Sequence, residues 1–386
     1  MKKVLFLAGY FYPHEGGSEK FILHLAKELM KSSVACTVIT ANTEKAKAKE
    51  KYQGINIIRV PCWHLLGKKF PMPKPWSMVK VLQEKEPYDI IITNTRFFNI
   101  AMYAPFFKWK HHAKLIHIEH GSKHIDNESA IVSFVNKLYD HTIGWFVMKN
   151  ADYLFGISKE AQKLIKHICN KKSGIVRNCI DTAYFIRNEK EAEKIKRKYK
   201  ITKSVILYAG RIIEAKGVQD LITATKNIDA QVIIIGSGSY EAEIKKMLHQ
   251  NCTFINKDYD HKTLKELLTI TDIFVNPSYN EGLPTVVMES GSMEVAVVAT
   301  DVGGTKEIID DKVNGFLVEP KNKKQLTEKI NILLKNKIKR ETFGKALRQR
   351  IQKEFDVSIA FQPIVKIVKQ EKKGDKHFTK IKKSLS

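Results

Sequence analysis

The chain has 386 residues, 43% of them hydrophobic and 28% charged, with a net charge of +25. That length and balance exclude a disordered chain and lead us to expect two domains, each with its own core. No apolar run approaches the roughly 18 residues of a membrane span. Five scattered cysteines (Cys36, Cys62, Cys169, Cys179, Cys252) show neither a disulfide framework nor zinc-ligand spacing, which points to a reducing compartment.

In chain order, Met1-Lys2-Lys3 and the run VLFLAG imitate a short signal peptide. No small-residue cleavage site follows, so a first strand is expected at Val4–Ala8. Further strands are expected at Val34–Thr40, Ile55–Val60, Ile90–Thr93, Leu115–Glu119, Tyr153–Gly156 and Ile175–Val176. Between them the periods are helical; in Ser18–Lys31, Phe21, Ile22, Leu25 and Leu29 share one face. Short apolar runs without period-two alternation, separated by helices, imply a parallel sheet covered on both faces.

The pattern restarts after the polar stretch Asp181–Lys190. A helix at Glu191–Lys200, a strand at Val205–Ala209 and a helix at Gly217–Thr225 are followed by strands at Val232–Ile235, Ile273–Val275 and Ala296–Thr300. The expected organisation is a domain over 1–180, a second doubly wound domain over 181–350, a crossover helix at 351–370 and a disordered basic tail at 371–386.

Four constellations could carry chemistry. The turn His14-Glu15-Gly16-Gly17-Ser18 places two glycines before a helix with Ser18 as a candidate N-cap. Such a turn lets the backbone approach an anion, although a GG turn also serves merely to connect elements. Arg211 follows a strand of the second unit and Lys216 comes five residues later, at the next helix start. Two cations aimed at one sheet edge can hold a diphosphate and neutralise a leaving group; alone, they read first as two solvated bases in a loop.

The third constellation is Asn276–Gly304, where a strand breaks at Pro277 and a helix is expected to start at Pro284. Glu281 and the amides of Gly282 and Leu283 would face a sugar or phosphate there, and Glu289, in the second helical turn, could accept from a ribose diol. A surface pair with a lysine is the commoner fate of a helical glutamate. The fourth is HIEHGSKH, beginning at His117. Alternation puts His117 and Glu119 on one strand face and His120 on the other, so a converging metal site is not expected. His120, at the strand end, is the candidate active-site group, or else a hydrogen-bonded structural histidine.

The segments HEGGSEKFILHLAKEL, IEHG, YAGRIIEAKG and PSYNEGLPTVVMES…VVATDVGGTKEIIDDKVNGFLVEP resemble the retaining GT-B glycosyltransferases of family four, over about residues 2 to 370. The resemblance implies an α/β fold of two Rossmann-like domains facing across a cleft, with a C-terminal helix crossing back to the first. It implies that Arg211 and Lys216 bind the donor diphosphate, Glu289 the ribose and Glu281 the transferred sugar. Gly16 and Gly17 would approach the diphosphate, and His120 would lie beside the sugar where the acceptor enters. No metal or other cofactor is implied, because cations and a helix N-terminus take its place. The chain departs from the family pattern at Glu289-Ser290, at Ser292-Met293-Glu294-Val295-Ala296 and at Asn256-Lys257.

The implied activity is retaining transfer of a hexose or N-acetylhexosamine from a nucleotide diphosphate sugar, UDP rather than GDP, to a glycan or lipid-linked acceptor in cell-surface polysaccharide or glycolipid synthesis. A GT-B sugar-nucleotide epimerase, which needs no acceptor, is the alternative within the fold. Charge bears on partners. Residues 1–184 carry 28 Lys+Arg against 15 Asp+Glu, 185–320 carry 18 against 20, and 321–386 carry 20 against 6. Two aromatic and lysine-rich stretches, Val60–Lys80 with Trp63, Phe70 and Trp76, and Phe97–Lys114 with Phe106, Phe107 and Trp109, suit a headgroup-level anchor or ordinary packed loops with snorkelling lysines. The expected place is the cytoplasm, peripherally at the inner face of the cell membrane through the basic first domain and tail. A nucleic-acid-binding protein, the reading from charge alone, lacks any recognised motif, so no nucleic-acid partner is expected.

Overall fold

The computed structural model of the chain describes residues 1–14, 16–65, 70–84, 86–96, 98–121 and 130–370. Glu15, Lys85, Phe97, residues 66–69, residues 122–129 (with Ser122, Lys123 and His124) and the tail 371–386 lie outside the described residues. The chain divides into two compact units, one formed by Met1–Asn178 with Ala360–Ser386, the other by Cys179–Ile359.

The first unit contains β1 (Lys3–Ala8), β2 (Ala35–Ala41), β3 (Lys49–Tyr52), β4 (Ile55–Val60), β5 (Cys62–Leu65), β6 (Phe70–Pro73), β7 (Ile90–Asn94), β8 (Lys114–Glu119), β9 (Tyr153–Gly156) and β10 (Gly174–Ile175). Its sheet runs β10-β9-β8-β7-β1-β2-β4-β3. It is parallel except for β3, which pairs antiparallel with β4 at the edge. β5 and β6 form a separate hairpin. β3, β5 and β6 were not expected: KEKY is charged, and the hairpin carries two prolines, so neither shows the apolar run that marks a buried strand.

The helices of this unit are α1 (Gly17–Met30), α2 (Pro75–Leu82), α3 (Ala104–His111), α4 (Ala130–Tyr139), α5 (Trp145–Asn150) and α6 (Lys159–Cys169), with α4 joined to α5 by a π turn, Asp140–Gly144. Met78 of α2, Phe107 of α3, Met148 of α5 and Ile165 of α6 share one core with Leu5, Leu7, Ile91 and Leu115. These four helices therefore form one layer on one face of the sheet. On α1, Phe21 meets Phe361 from the C-terminal segment edge-on at 5.0 Å. Lys2 Nζ reaches the Lys369 carbonyl at 3.0 Å, and in this way the last helix closes the unit.

The second unit contains α7 (Glu189–Lys198), β11 (Val205–Ala209), α8 (Val218–Thr225), β12 (Gln231–Gly236), α9 (Glu241–Met247), β13 (Cys252–Asn256), α10 (His261–Thr269), β14 (Ile273–Asn276), α11 (Thr285–Ser292), β15 (Ala296–Thr300), α12 (Thr305–Ile308), β16 (Phe316–Val318), α13 (Lys323–Lys335) and α14 (Lys337–Glu354). After α15 (Val357–Ala360), α16 (Gln362–Gln370) belongs to the first unit. The second sheet is fully parallel, β13-β12-β11-β14-β15-β16. Leu207 and Ala209 of β11 face α10, α11 and α14, while Ile206 and Tyr208 face α8 and α13, so both faces are buried and the strands are apolar throughout.

Helix α14 comes close enough to α11 that small residues are obligatory at the crossing. A Cβ on Gly344 would stand 2.0 Å from the Glu294 carbonyl oxygen, and one on Gly291 would stand 2.5 Å from Leu347 and Ile351 side-chain carbons. Gly344→Ala is expected to lower unfolding stability by about 1–3 kcal/mol, measured by urea denaturation, because the obstructing atom is backbone. An unchanged midpoint would mean that the α14 packing is looser than described.

Candidate active site

In an open parallel sheet, ligands bind at the carboxyl ends of the strands where the strand order reverses. In the second unit that point lies between β11 and β14, which makes the loops 210–217 and 277–284 neighbours. The Tyr279 amide donates to the Ala215 carbonyl at 2.8 Å and ties them together. Gly217 has φ +66°, and a Cβ there would stand 2.1 Å from the Pro277 carbonyl oxygen. From the other side, Gly303, at φ +54°, would bring a Cβ within 1.7 Å of the Glu281 carbonyl oxygen, and the Gly304 amide donates to the Gly282 carbonyl at 2.7 Å.

This clamped turn brings Lys216 and Glu281 together, with Lys216 Nζ 2.7 Å from Glu281 Oε1. The same oxygen accepts from Ser278 Oγ at 2.6 Å and lies 3.5 Å from Asn276 Nδ2. Ser278 Oγ is also 2.9 Å from Asn276 Oδ1, so its one proton serves one oxygen at a time. Lys216 ends a short 3-10 turn, Glu214–Lys216, rather than starting α8, because Gly217 takes a left-handed conformation before the helix. Arg211 is exposed, and among the described residues its guanidinium makes no hydrogen bond or ion pair. Its carbonyl accepts from the Tyr208 hydroxyl at 2.9 Å.

Helix α11 begins at Thr285, one residue later than expected, since Pro284 is extended at ψ 108° and acts as the cap. Leu283 is buried, and Gly282 has open space around its Cα. Glu289 is buried in the second turn, with its Oε1 3.7 Å from His261 Nδ1. The His261 ring lies 5.5 Å from Phe185, and burial, with the Glu289 charge beside it, pushes up the Tyr259 phenol. Lys216 and Glu281 thus form one cluster, and Glu289 in the second turn of α11 and His261 at the start of α10 form a second.

In the first unit the strand order reverses between β1 and β7. Helix α1 starts at Gly17, with extended Gly16 as its cap, so Ser18 lies inside the helix and is not the N-cap expected. A Cβ on Gly17 would meet nothing within 4 Å, whereas one on Gly16 would meet Glu19 Oε2 at 2.4 Å. Burial pushes the Glu19 carboxyl up, against the pull of its own backbone amide, Ser18 and His14.

His120 follows β8, and its ring meets Phe21 edge-on at 4.8 Å. The residue is half-buried, but Nε2 is sealed from solvent and has no hydrogen-bond partner among the described residues. Burial pushes its imidazole down to about 4, with Glu119 opposing and His117 assisting, so the ring is neutral at pH 7. His117 Nε2 and Glu119 Oε2 share a face, 3.5 Å apart. Among the described residues no group of three His, Cys, Asp or Glu could hold a metal ion.

Beneath His120 lies a buried charge network. Arg96 Nη1 is 2.8 Å from Glu119 Oε1, and Arg96 Nε and Nη2 donate to the two Asp140 oxygens at 2.6 and 3.0 Å. The Gly121 amide donates to Glu119 Oε1 at 2.6 Å. Burial alone would raise the Glu119 carboxyl; Arg96, then His117 and the Gly121 amide, hold it well below the usual range.

Residues 15–184 match the family model for Glycosyltransferase Family 4, and residues 189–350 match that for Glycosyl transferases group 1. The chain belongs to the family 4, group 1 glycosyltransferases. An uncharacterised glycosyltransferase of Methanocaldococcus jannaschii is 28% identical over 92% of this chain and 95% of its own length. A GDP-mannose-dependent monoacylated alpha-(1-6)-phosphatidylinositol monomannoside mannosyltransferase of Corynebacterium glutamicum is 24% identical over 96% of this chain and 98% of its own. Among solved structures, Anabaena HepE in complex with UDP matches with a TM-score of 0.78 at 18% identity, over 96% of this chain and all of HepE. Sucrose-phosphate synthase of Thermosynechococcus elongatus matches at 0.76 and 18%, over 96% of this chain and 98% of its own. The fold is GT-B, with two Rossmann-like domains.

Several residues around this glycosyltransferase's candidate site escaped sequence reasoning. Asn276, Ser278, Gly303 and Gly304 stand in the stretch already singled out, but as turn residues without a role. Arg96 and Asp140 gave a fainter signal, a lone cation after a strand and a lone acid between apolar helical runs. Arg96→Ala is expected to cost about 3–5 kcal/mol, because it strands two buried carboxylates. In the wild-type protein Glu119 titrates below the ordinary glutamate value of 4.5, so its stabilisation is complete above that pH and is withdrawn as pH falls. In the variant the unpaired carboxylate is a liability at pH 7 that protonation relieves, so the stability gap should narrow toward about pH 4. Urea titrations at several pH values check this, and a constant gap counts against the network.

Proposed function

We propose that this glycosyltransferase moves a hexose or N-acetylhexosamine, with retention, from a UDP-sugar to a glycan or lipid-linked acceptor. The observation that carries the reading is the Lys216–Glu281 contact at the switch point of the second sheet, with the exposed Arg211 on the same loop. Arg211 and Lys216 would hold the diphosphate and take up the charge that grows on it, a preorganised role that needs no resident metal. Glu281 orients Lys216 and meets hydroxyls of the transferred sugar, with the Gly282 and Leu283 amides beside it. Glu289 would accept from the ribose diol. From the first unit the same reading assigns Gly16 and Gly17 to the donor phosphates and His120, as a neutral imidazole, to a hydroxyl of the sugar.

The bond between the anomeric carbon and the phosphate oxygen breaks, and the acceptor oxygen bonds on the same face. The acceptor proton passes to the departing phosphate. UDP is favoured by Anabaena HepE, which has been crystallised with UDP-glucose, while the Corynebacterium relative is named for GDP-mannose. A lipid-linked acceptor draws support from that relative and from the yeast phosphatidylinositol N-acetylglucosaminyltransferase GPI3 subunit, 22% identical over 81% of this chain.

A thermal-shift comparison of UDP- and GDP-sugars tests the donor, with about 2.7 kcal/mol of stabilisation expected at a hundredfold excess over Kd. Stabilisation by neither class would remove the assignment. Lys216→Ala and Glu281→Ala are each expected to lower kcat about 10²–10³-fold with the fold intact. Glu289→Ala should instead raise the donor KM with kcat little changed, since ribose contacts are alike in ground and transition states. Near wild-type turnover in both the Lys216 and Glu281 variants would sink the site.

A further inference from the structure

We infer that the first unit docks on an anionic lipid surface through the outer side of its α2–α3–α5 helical layer and the α4 helix that leads into it. The chain has four tryptophans, and all of them stand here. Trp63, Trp76, Trp109 and Trp145 are 41, 61, 50 and 42% exposed, although tryptophan is on average a well-buried side chain. Met78, Phe107 and Met148 anchor α2, α3 and α5 in the same core, so the opposite sides of these helices share one outer face.

On that face the aromatic side chains touch each other. Phe106 and Trp109 of α3 meet at 5.4 Å, and Phe146 of α5 lies 6.2 and 6.3 Å from them. Trp63 of the β5–β6 hairpin meets Trp76 of α2 edge-on at 5.4 Å. Along α4, Phe134 is 68% exposed and Leu138 follows one helical turn later, also exposed; exposed Trp145 opens α5 beyond the π turn.

The charge pattern selects the occupant. Asp140 is the only acid in α2, α3 and 130–150, and it is buried against Arg96. Lys80, Lys110, Lys137 and Lys149 are exposed and form no ion pair among the described residues. Lys74 Nζ lies 5.5 Å from the Trp76 ring centroid. A second copy of the chain would set lysine against lysine, and a nucleic acid offers nothing to Val79, Val135 or Leu138. Anionic headgroups above acyl chains satisfy the lysines and the apolar rings together. Among the described residues no helix is long and apolar enough to cross a membrane, so the contact made by this face is interfacial. The inference does not depend on the donor assignment in the second unit.

Flotation of the full chain with phosphatidylcholine vesicles, and with the same vesicles containing phosphatidylglycerol, tests it at low and high salt. Binding is expected only to the anionic vesicles, weakened by salt, with a blue shift of tryptophan emission. Combining Trp76→Ala with Trp109→Ala, or Lys80→Glu with Lys110→Glu and Lys149→Glu, should each weaken binding about tenfold or more. Thermal unfolding and donor-induced stabilisation should stay as in the wild type, which separates this outcome from failure of the donor site. Equal failure on both vesicle types overturns the inference. So does vesicle binding retained by both variants, or concentration-dependent dimerisation lost in the tryptophan variant.

Discussion

Contacts that only a residue without Cβ can make hold the second unit's site together. Gly217 lies against the Pro277 carbonyl, Gly303 against the Glu281 carbonyl and Gly304 against that of Gly282. The first joins the loop after β11 to the loop after β14, and the other two close the loop after β15 over the same turn. With the backbone pinned from both sides, Glu281 and Lys216 meet at hydrogen-bond distance, and Ser278 and Asn276 complete the cluster. A charged pair set in advance at a sheet edge needs little reorganisation when a third charge arrives, and this is where electrostatic stabilisation is most effective.

The first unit reaches a comparable rigidity by another route. Its strand ends are held by ionised groups buried under His120, with Arg96 spanning Glu119 on the sheet and Asp140 in the π turn. Taking three charges out of water is costly and is offset only because nearly every polar atom is paired, so the network specifies one arrangement more than it adds stability. Glu119 also touches His120 electrically, but burial dominates and leaves the imidazole neutral. Helix α5, which continues from the π turn that carries Asp140, belongs to the layer whose other side turns tryptophan and lysine outward. One helical layer therefore has an inner side committed to packing and an outer side free for a partner.

Much of the architecture was legible in the residues. Continuous apolar runs such as VILYA and AVVAT could only be strands buried on both faces, and their bounds came out to the residue. The helical period located α1 to within one position, whereas the stretch 351–370, expected as one crossover helix, is the end of α14, the short α15 and α16. What failed were elements whose stabilisation is not their own: the charged edge strand β3, the proline-containing hairpin β5–β6 and the start of α1, where extended Gly16 displaced Ser18 from the cap. Of the site, Lys216 and Glu281 were singled out by type and spacing. The clamp that joins them depends on Gly303, more than twenty residues from Glu281, and spacing carries no such information.

By itself, the sequence determined two doubly wound units, a neutral second half between basic flanks, and the residue types available at each sheet edge, because side-chain periodicity and charge are local properties. Only the tertiary structure decided that Lys216 and Glu281 touch, that Arg96 neutralises two buried acids, and that all four tryptophans face outward. Those are distances between strand ends and between helix faces, set by strand order and by how closely glycine lets one backbone approach another.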